Sequence, residues 1–125
     1  MGSYRWVALG GAAGTLLRVG VNTLFPLAHG LHTVWINIVG SLLLAILFTL
    51  MPAHEERTRR MRLSLGTGLL GGFTTMSTFS LDVVKLLEAD EWGLAGFVII
   101  ASLLGGLLAA LLGVWIGRRV RGENG

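Results

Sequence analysis

A chain of 125 residues that is 53% hydrophobic and only 14% charged, with a mean hydropathy of +0.72, has too few charges to cover a water-facing surface. Its ten Lys and Arg against seven Asp and Glu leave a formal charge of +3, but the cations flank apolar stretches instead of forming a basic face, which argues against a nucleic-acid binder. Cysteine is absent, which excludes disulfides, thiolate chemistry and cysteine-ligated metals.

Lipid is then the expected surroundings, and a bilayer sets each helix at about 20 predominantly apolar residues. The first such stretch covers residues 4–25. Arg5 ahead of an apolar run imitates a signal peptide, but the run is longer than a signal core and no small-residue cleavage site follows it, so a retained helix is expected. Arg18, in GTLLRVG, puts a charge at membrane depth. It must snorkel or find polar partners, and as a fixed cation near a pore mouth it would attract anions. Pro26 and the LAHGLH segment punctuate the turn to the second stretch, residues 33–51. There Asn37, in HTVWINIVGS, can act as interhelical glue or offer its amide hydrogens to an anion, and Ser41 follows one turn on along the same face. The segment PAHEERTRRMR, residues 52–62, reads as a polar connection.

The third stretch, residues 63–87, contains GGFTTMSTFS at its middle. Gly71, Gly72, Thr74, Thr75, Ser77, Thr78 and Ser80 make poor helix there, and irregular backbone at membrane depth survives only where protein covers it or it faces a watery cavity. An unwound segment is predicted, of the kind whose freed carbonyls and half-helix ends build ion sites. Phe73, Met76 and Phe79 are three apart and share a stripe, which is ordinarily packing; ring edges are electropositive, however, and can meet a partly dehydrated anion. EADEW is a short acidic turn. The fourth stretch, residues 92–117, has Ser102 as its only hydroxyl residue, and the tail RRVRGENG is polar and expected to fray. No stretch keeps the period-two alternation of a membrane strand, so the fold class is all-α, with four transmembrane helices and the third broken at mid-membrane.

Four passages put both termini on one side with Arg5, Arg57, Arg59, Arg60, Arg62, Arg118, Arg119 and Arg121, while the other side has at most Lys85. Positive residues stay inside, which predicts cytoplasmic termini in the plasma membrane. The 19 glycines, concentrated in GGAAG, GTGLLGG and LLGGLLAALLG, permit close backbone packing, and so small a bundle is expected to need a partner to enclose a polar path.

With these segments in view, the chain resembles the small bacterial fluoride channels of the CrcB, or Fluc, family. The match runs from GGAAGTLLR through INIVGSLL and GLLGGFTTMSTFSLD to ASLLGGLLAALLG, and the GGFTTxSTFS string followed by an acidic residue is its most specific part. The resemblance implies four-helix subunits assembled as antiparallel dimers that export fluoride passively. It matches Asn37 to the family's pore asparagine, Arg18 to its first-span arginine, Ser77 and Thr78 to the hydroxyls of the break, Phe79 to the second pore phenylalanine and Ser102 to a fourth-span polar position. Met76 stands where the family has its first pore phenylalanine and offers a flexible thioether in place of a ring edge. The resemblance also implies a structural sodium ion at the dimer centre, on backbone carbonyls of Gly71 and Thr74.

The function expected is a passive fluoride channel, its path formed by Asn37, Ser41, Met76, Ser77, Thr78, Phe79 and Ser102, with Arg18 near the mouth and Thr75 as a further donor. No acid–base pair or partnered nucleophile lies within the spans, so no enzyme is expected. Asp82 could bind a proton for coupling, but one turn beyond Phe79 it is expected to cap or pair at a helix boundary. The rival readings are a small multidrug-type exporter, which needs an embedded carboxylate, and a scaffold subunit without transport. The second subunit is expected to lie antiparallel to the first, either as a second copy or as a paired homologous chain; the one-sided arginines suit the latter.

Overall fold

A computed structural model describes residues 2–25, 30–51 and 54–122, and among these the chain is helical with no strand. Helices α1 (Gly2–Leu24) and α2 (Leu31–Leu50) make the first two passages. The third is composite. It opens with α3 (Glu56–Met61), continues as a π-helical stretch, Arg62–Leu70, then a short α4 (Gly71–Phe73), and resumes beyond a gap as α5 (Met76–Glu88). Helix α6 (Trp92–Val120) completes the bundle. By length and hydropathy α1, α2 and α6 can each cross a membrane; the third passage contains no single helix that long. The chain is an all-α membrane protein.

Two boundaries differ from the sequence reading. The third passage begins at Glu56, inside what reads as a polar connection, because a helix outside the lipid needs no apolar run and Glu56 meets Arg60 one turn on at 2.6 Å. The end of α6 likewise runs through Arg118 and Arg119 to Val120, further than a frayed tail allows. The acidic turn does appear: Asp90 adopts φ 57°, while the Glu91 amide reaches the Leu86 carbonyl and the Asp90 amide that of Leu87, a Schellman ending for α5. The Pro26 turn, Pro52 and the last tail residues, 123–125, lie outside the described residues.

One end of the bundle gathers arginines onto helix ends. Arg62 Nη1 donates to the Met51 carbonyl at 3.1 Å and its guanidinium lies 4.4 Å from the Phe48 ring centroid. Arg121 Nη1 donates to the Thr49 carbonyl at 2.9 Å. These bonds satisfy carbonyls that the end of α2 leaves over. At the opposite end Val34, Leu86, Ala95 and Val98 form a buried cluster, and the Thr33 hydroxyl donates to the Asp82 carboxylate, tying α5 to the first turn of α2.

Close packing explains the glycines. Helix α1 lies against the first half of the third passage with backbone on backbone: a Cβ at Gly14 would fall on the Leu69 carbonyl, one at Gly10 on that of Ser64 and one at Gly72 on that of Gly11. Without a hydrophobic drive between helices in lipid, this approach is itself the source of packing attraction. Along the other seam, α2 packs on α6, where Gly113 faces the Leu42 carbonyl and Gly117 faces Thr49. Leu103, Leu104, Leu107, Leu108, Leu111 and Leu112 of α6 are left exposed, as suits a lipid-facing or partner-facing side.

Candidate functional site

The site is built where the third passage opens. Thr74 and Thr75 are extended (ψ 153° and 126°), so the helix stops at Phe73 and restarts at Met76. The break is therefore narrower than the ten-residue unwound segment the sequence suggests. Thr75 Oγ1 accepts the Thr78 amide at 3.2 Å, an N-cap that restarts the helix at once. On the near side, the glycine seam with α1 holds Gly71–Phe73 helical.

Thr75 is the hub of the break. Its side chain contacts the hydroxyls of Ser77 at 3.2 Å and Thr78 at 3.3 Å, and the residue is only 9% exposed. Its backbone is gripped by one side chain from α2: Asn37 Oδ1 accepts the Thr75 amide at 2.9 Å, while Asn37 Nδ2 donates to the Thr75 carbonyl at 3.0 Å. A carboxamide is the one uncharged side-chain group with a donor and an acceptor placed to pair with both backbone groups of one residue in this way. Of the two roles left open by the sequence, the structure shows the first, interhelical glue, and one Nδ2 hydrogen is still available.

Beside this clamp is a hollow of about 290 Å³ lined by Asn37, Ser41, Thr74, Thr75, Met76, Phe79 and Ser102, with Leu44 and Leu103 as apolar wall. Ser102 Oγ is buried there without a hydrogen-bond partner. A buried hydroxyl with no partner is uncommon; among the described residues Asn22 Oδ1 and His32 Nδ1 share that condition, and of the three only Ser102 borders the hollow. Met76 is 68% exposed, so the hollow's rim faces outward from the subunit. Of the residues picked from sequence, Asn37, Ser41, Met76, Phe79 and Ser102 come together around it. Ser77 and Thr78 stand one step behind, against Thr75. Arg18 is partly buried on α1, which packs on residues 62–73, and it does not line the hollow. A larger open cleft of about 620 Å³, lined by Trp6, Arg57, Arg60 and Met61 among others, lies at the arginine-rich end, away from the break.

Thr75 is the residue that sequence reasoning underrated. Its signal was present: Thr75 and Thr78 have the spacing of an N-cap and the third helical position, immediately before a helix-forming run.

The break also releases two backbone carbonyls. In an unbroken helix Gly71 would accept from the Thr75 amide and Thr74 from the Thr78 amide. Those amides go instead to Asn37 Oδ1 and Thr75 Oγ1. Carbonyl oxygens without their helical donors are the ligands a hard cation takes, so the residues present fit a sodium ion.

Residues 5–114 match the family model described as CrcB-like protein, Camphor Resistance (CrcB). The fluoride-specific ion channel FluC of Sorangium cellulosum is 39% identical over 126 residues, covering 96% of this chain and 98% of the relative. FluC of Agrobacterium fabrum is 42% identical over 91% of this chain and 94% of its own length, and FluC 2 of Bacillus subtilis 42% identical over 95% and 90%.

Proposed function

Because this chain belongs to the CrcB-like family, we propose that it is a passive, fluoride-selective channel that lets fluoride leave the cytoplasm and so relieves its toxicity. Fluoride is small and strongly hydrated, so leaving water requires replacement hydrogen-bond donors along the path. The hollow offers the Ser102 and Ser41 hydroxyls and the second Nδ2 hydrogen of Asn37, with the Phe79 ring beside them. Helix α5 begins at Met76 on the same wall, and the positive end of its dipole favours an anion there. Among the described residues no fixed cation lines the hollow, which keeps binding weak enough for release. Arg18 acts at a distance, as a cation biasing the approach. The observation that carries this reading is the buried, partnerless Ser102 hydroxyl in a hollow at the helix break.

The exposed rim at Met76 supports completion of the path by a second, antiparallel subunit, and the one-sided arginines favour a homologous chain over a second copy in that place, with cytoplasmic termini. The carbonyls of Gly71 and Thr74 would hold a sodium ion at the subunit interface, where a hard cation offsets converging carbonyl dipoles and fixes the break. A multidrug-type exporter would need an available embedded carboxylate, whereas Asp82 is engaged by Thr33. A scaffold would leave the Ser102 hydroxyl without a purpose.

The test is efflux from liposomes containing the assembly purified through this chain, with no energy source. Release of fluoride with retention of chloride is expected. Retention of both, or equal release of both, overturns the proposal.

A further inference from the structure

We infer that Asn37 and Thr75 are positioning residues that set the affinity of the Gly71 and Thr74 carbonyls for sodium, by holding away the two amides that would otherwise occupy them. This rests on the reading above that the break takes a sodium ion. A carbonyl oxygen has two lone pairs, but a helical hydrogen bond aligns it with the helix axis and its amide, so helix closure and cation binding compete for its orientation. The Thr75 amide belongs to a residue that is 9% exposed, and a buried amide must find an acceptor. While Asn37 Oδ1 accepts it, at 2.9 Å, the Gly71 carbonyl is left for a cation. Without that acceptor, the one available within the helix is the Gly71 carbonyl itself, reached by closing the break by one residue. The same exchange operates one turn on. Thr75 Oγ1 draws the Thr78 amide, at 3.2 Å, off the Thr74 carbonyl.

Helix closure and cation binding thus use the same oxygens, and two side chains decide between them. The coupling reaches the anion path because Asn37 and Thr75 also line the hollow. Asn37 adds a second restraint: its Nδ2 hydrogen on the Thr75 carbonyl, at 3.0 Å, fixes the orientation of the peptide plane that follows the released Thr74 carbonyl.

The experiment is thermal unfolding of the purified assembly across a sodium titration, with choline replacing sodium at constant ionic strength. A ligand that binds only the folded state raises the unfolding temperature with concentration, so the half-maximal sodium concentration reports affinity. Asn37→Ala and Thr75→Val are expected to raise that concentration by about tenfold or more, since each lets one carbonyl return to the helix. Thr75→Ser keeps the capping oxygen and is expected within about threefold of the parent. Thr15→Val, which removes a hydroxyl bonded within α1 to the Gly11 carbonyl, should leave the value unchanged. If the parent itself shows no sodium response, the sodium reading fails and this inference falls with it. If the parent responds and Asn37→Ala and Thr75→Val match it, the inference alone is overturned. Should Asn37→Ala not fold, the Thr75→Val and Thr75→Ser pair decides: equal midpoints for the two contradict the inference.

Discussion

Residues 62–70 and residues 74–75 lie in the same passage, and neither keeps the α-helical bonding pattern. In the first, the bonds lengthen their register but stay inside the helix: the Gly71 amide still finds the Gly66 carbonyl, and where the Thr74 hydroxyl reaches the Leu70 carbonyl it joins the Thr74 amide there without displacing it. In the second, side chains take over the amides, and carbonyls are released. The first stretch faces α1 across glycines and packs; the second faces Asn37 and hydroxyls and opens a hollow. On the function proposed above, the difference separates a packing irregularity from a functional one at membrane depth. In packing, the backbone satisfies itself; in a site, its groups are handed to something else.

Substitutions can break this comparison from either side. The largest effect is expected on the packing side. In Gly14→Ala the new Cβ would fall on the Leu69 carbonyl, backbone that cannot turn away. The loss should lie at the upper end of the ~1–3 kcal/mol of ordinary overpacking, or beyond it. Loss of the monodisperse peak in gel filtration checks it; a folded protein of parental stability would show that the seam is looser than described. On the polar side, Ser102→Ala removes an unpaired buried hydroxyl, so stability should hold or rise slightly while fluoride flux falls. A lost hydrogen bond to an ion, about 1.5–3 kcal/mol, translates to roughly tenfold or more in initial efflux. Undiminished flux would remove Ser102 from the path. The smallest effect belongs to Met76→Phe. The position is 68% exposed at the rim, so a ring fits without repacking, and initial efflux should match or modestly exceed the parent. A folded but silent Met76→Phe would mean that the thioether is part of a differently packed rim.

How much of this was legible in the sequence follows from the same contrast. The position of the break was, because glycines and hydroxyl residues crowd GGFTTMSTFS in an apolar setting where they have no packing use. Its width was not. That depends on Thr75 capping α5 and on α1 holding Gly71–Phe73, and both are tertiary facts. The π-helical stretch left no trace in LSLGTGLL, since bond register there is settled by what the helix packs against. The start at Glu56 was hidden because hydropathy finds the membrane part of a helix and not its polar extension. Ser102, a lone serine, is weak evidence by itself; only its burial without a partner distinguishes it from a hydroxyl bonded back to its own helix, as Thr49 is to Ala45.

The most direct test of the central claim, that the polar break and not the glycine seam carries the anion, is a paired measurement of initial fluoride efflux. Asn37→Ala removes the clamp and a donor from the hollow. Gly11→Ala adds a methyl group to the seam where its nearest neighbour, the Gly68 carbonyl, is 3.8 Å away, an ordinary contact. Both should assemble. Asn37→Ala should lose about tenfold or more of the flux, as expected for lost donors to an ion, while Gly11→Ala retains it. Parental flux from a folded Asn37→Ala, or an equal fall in both variants, would contradict it.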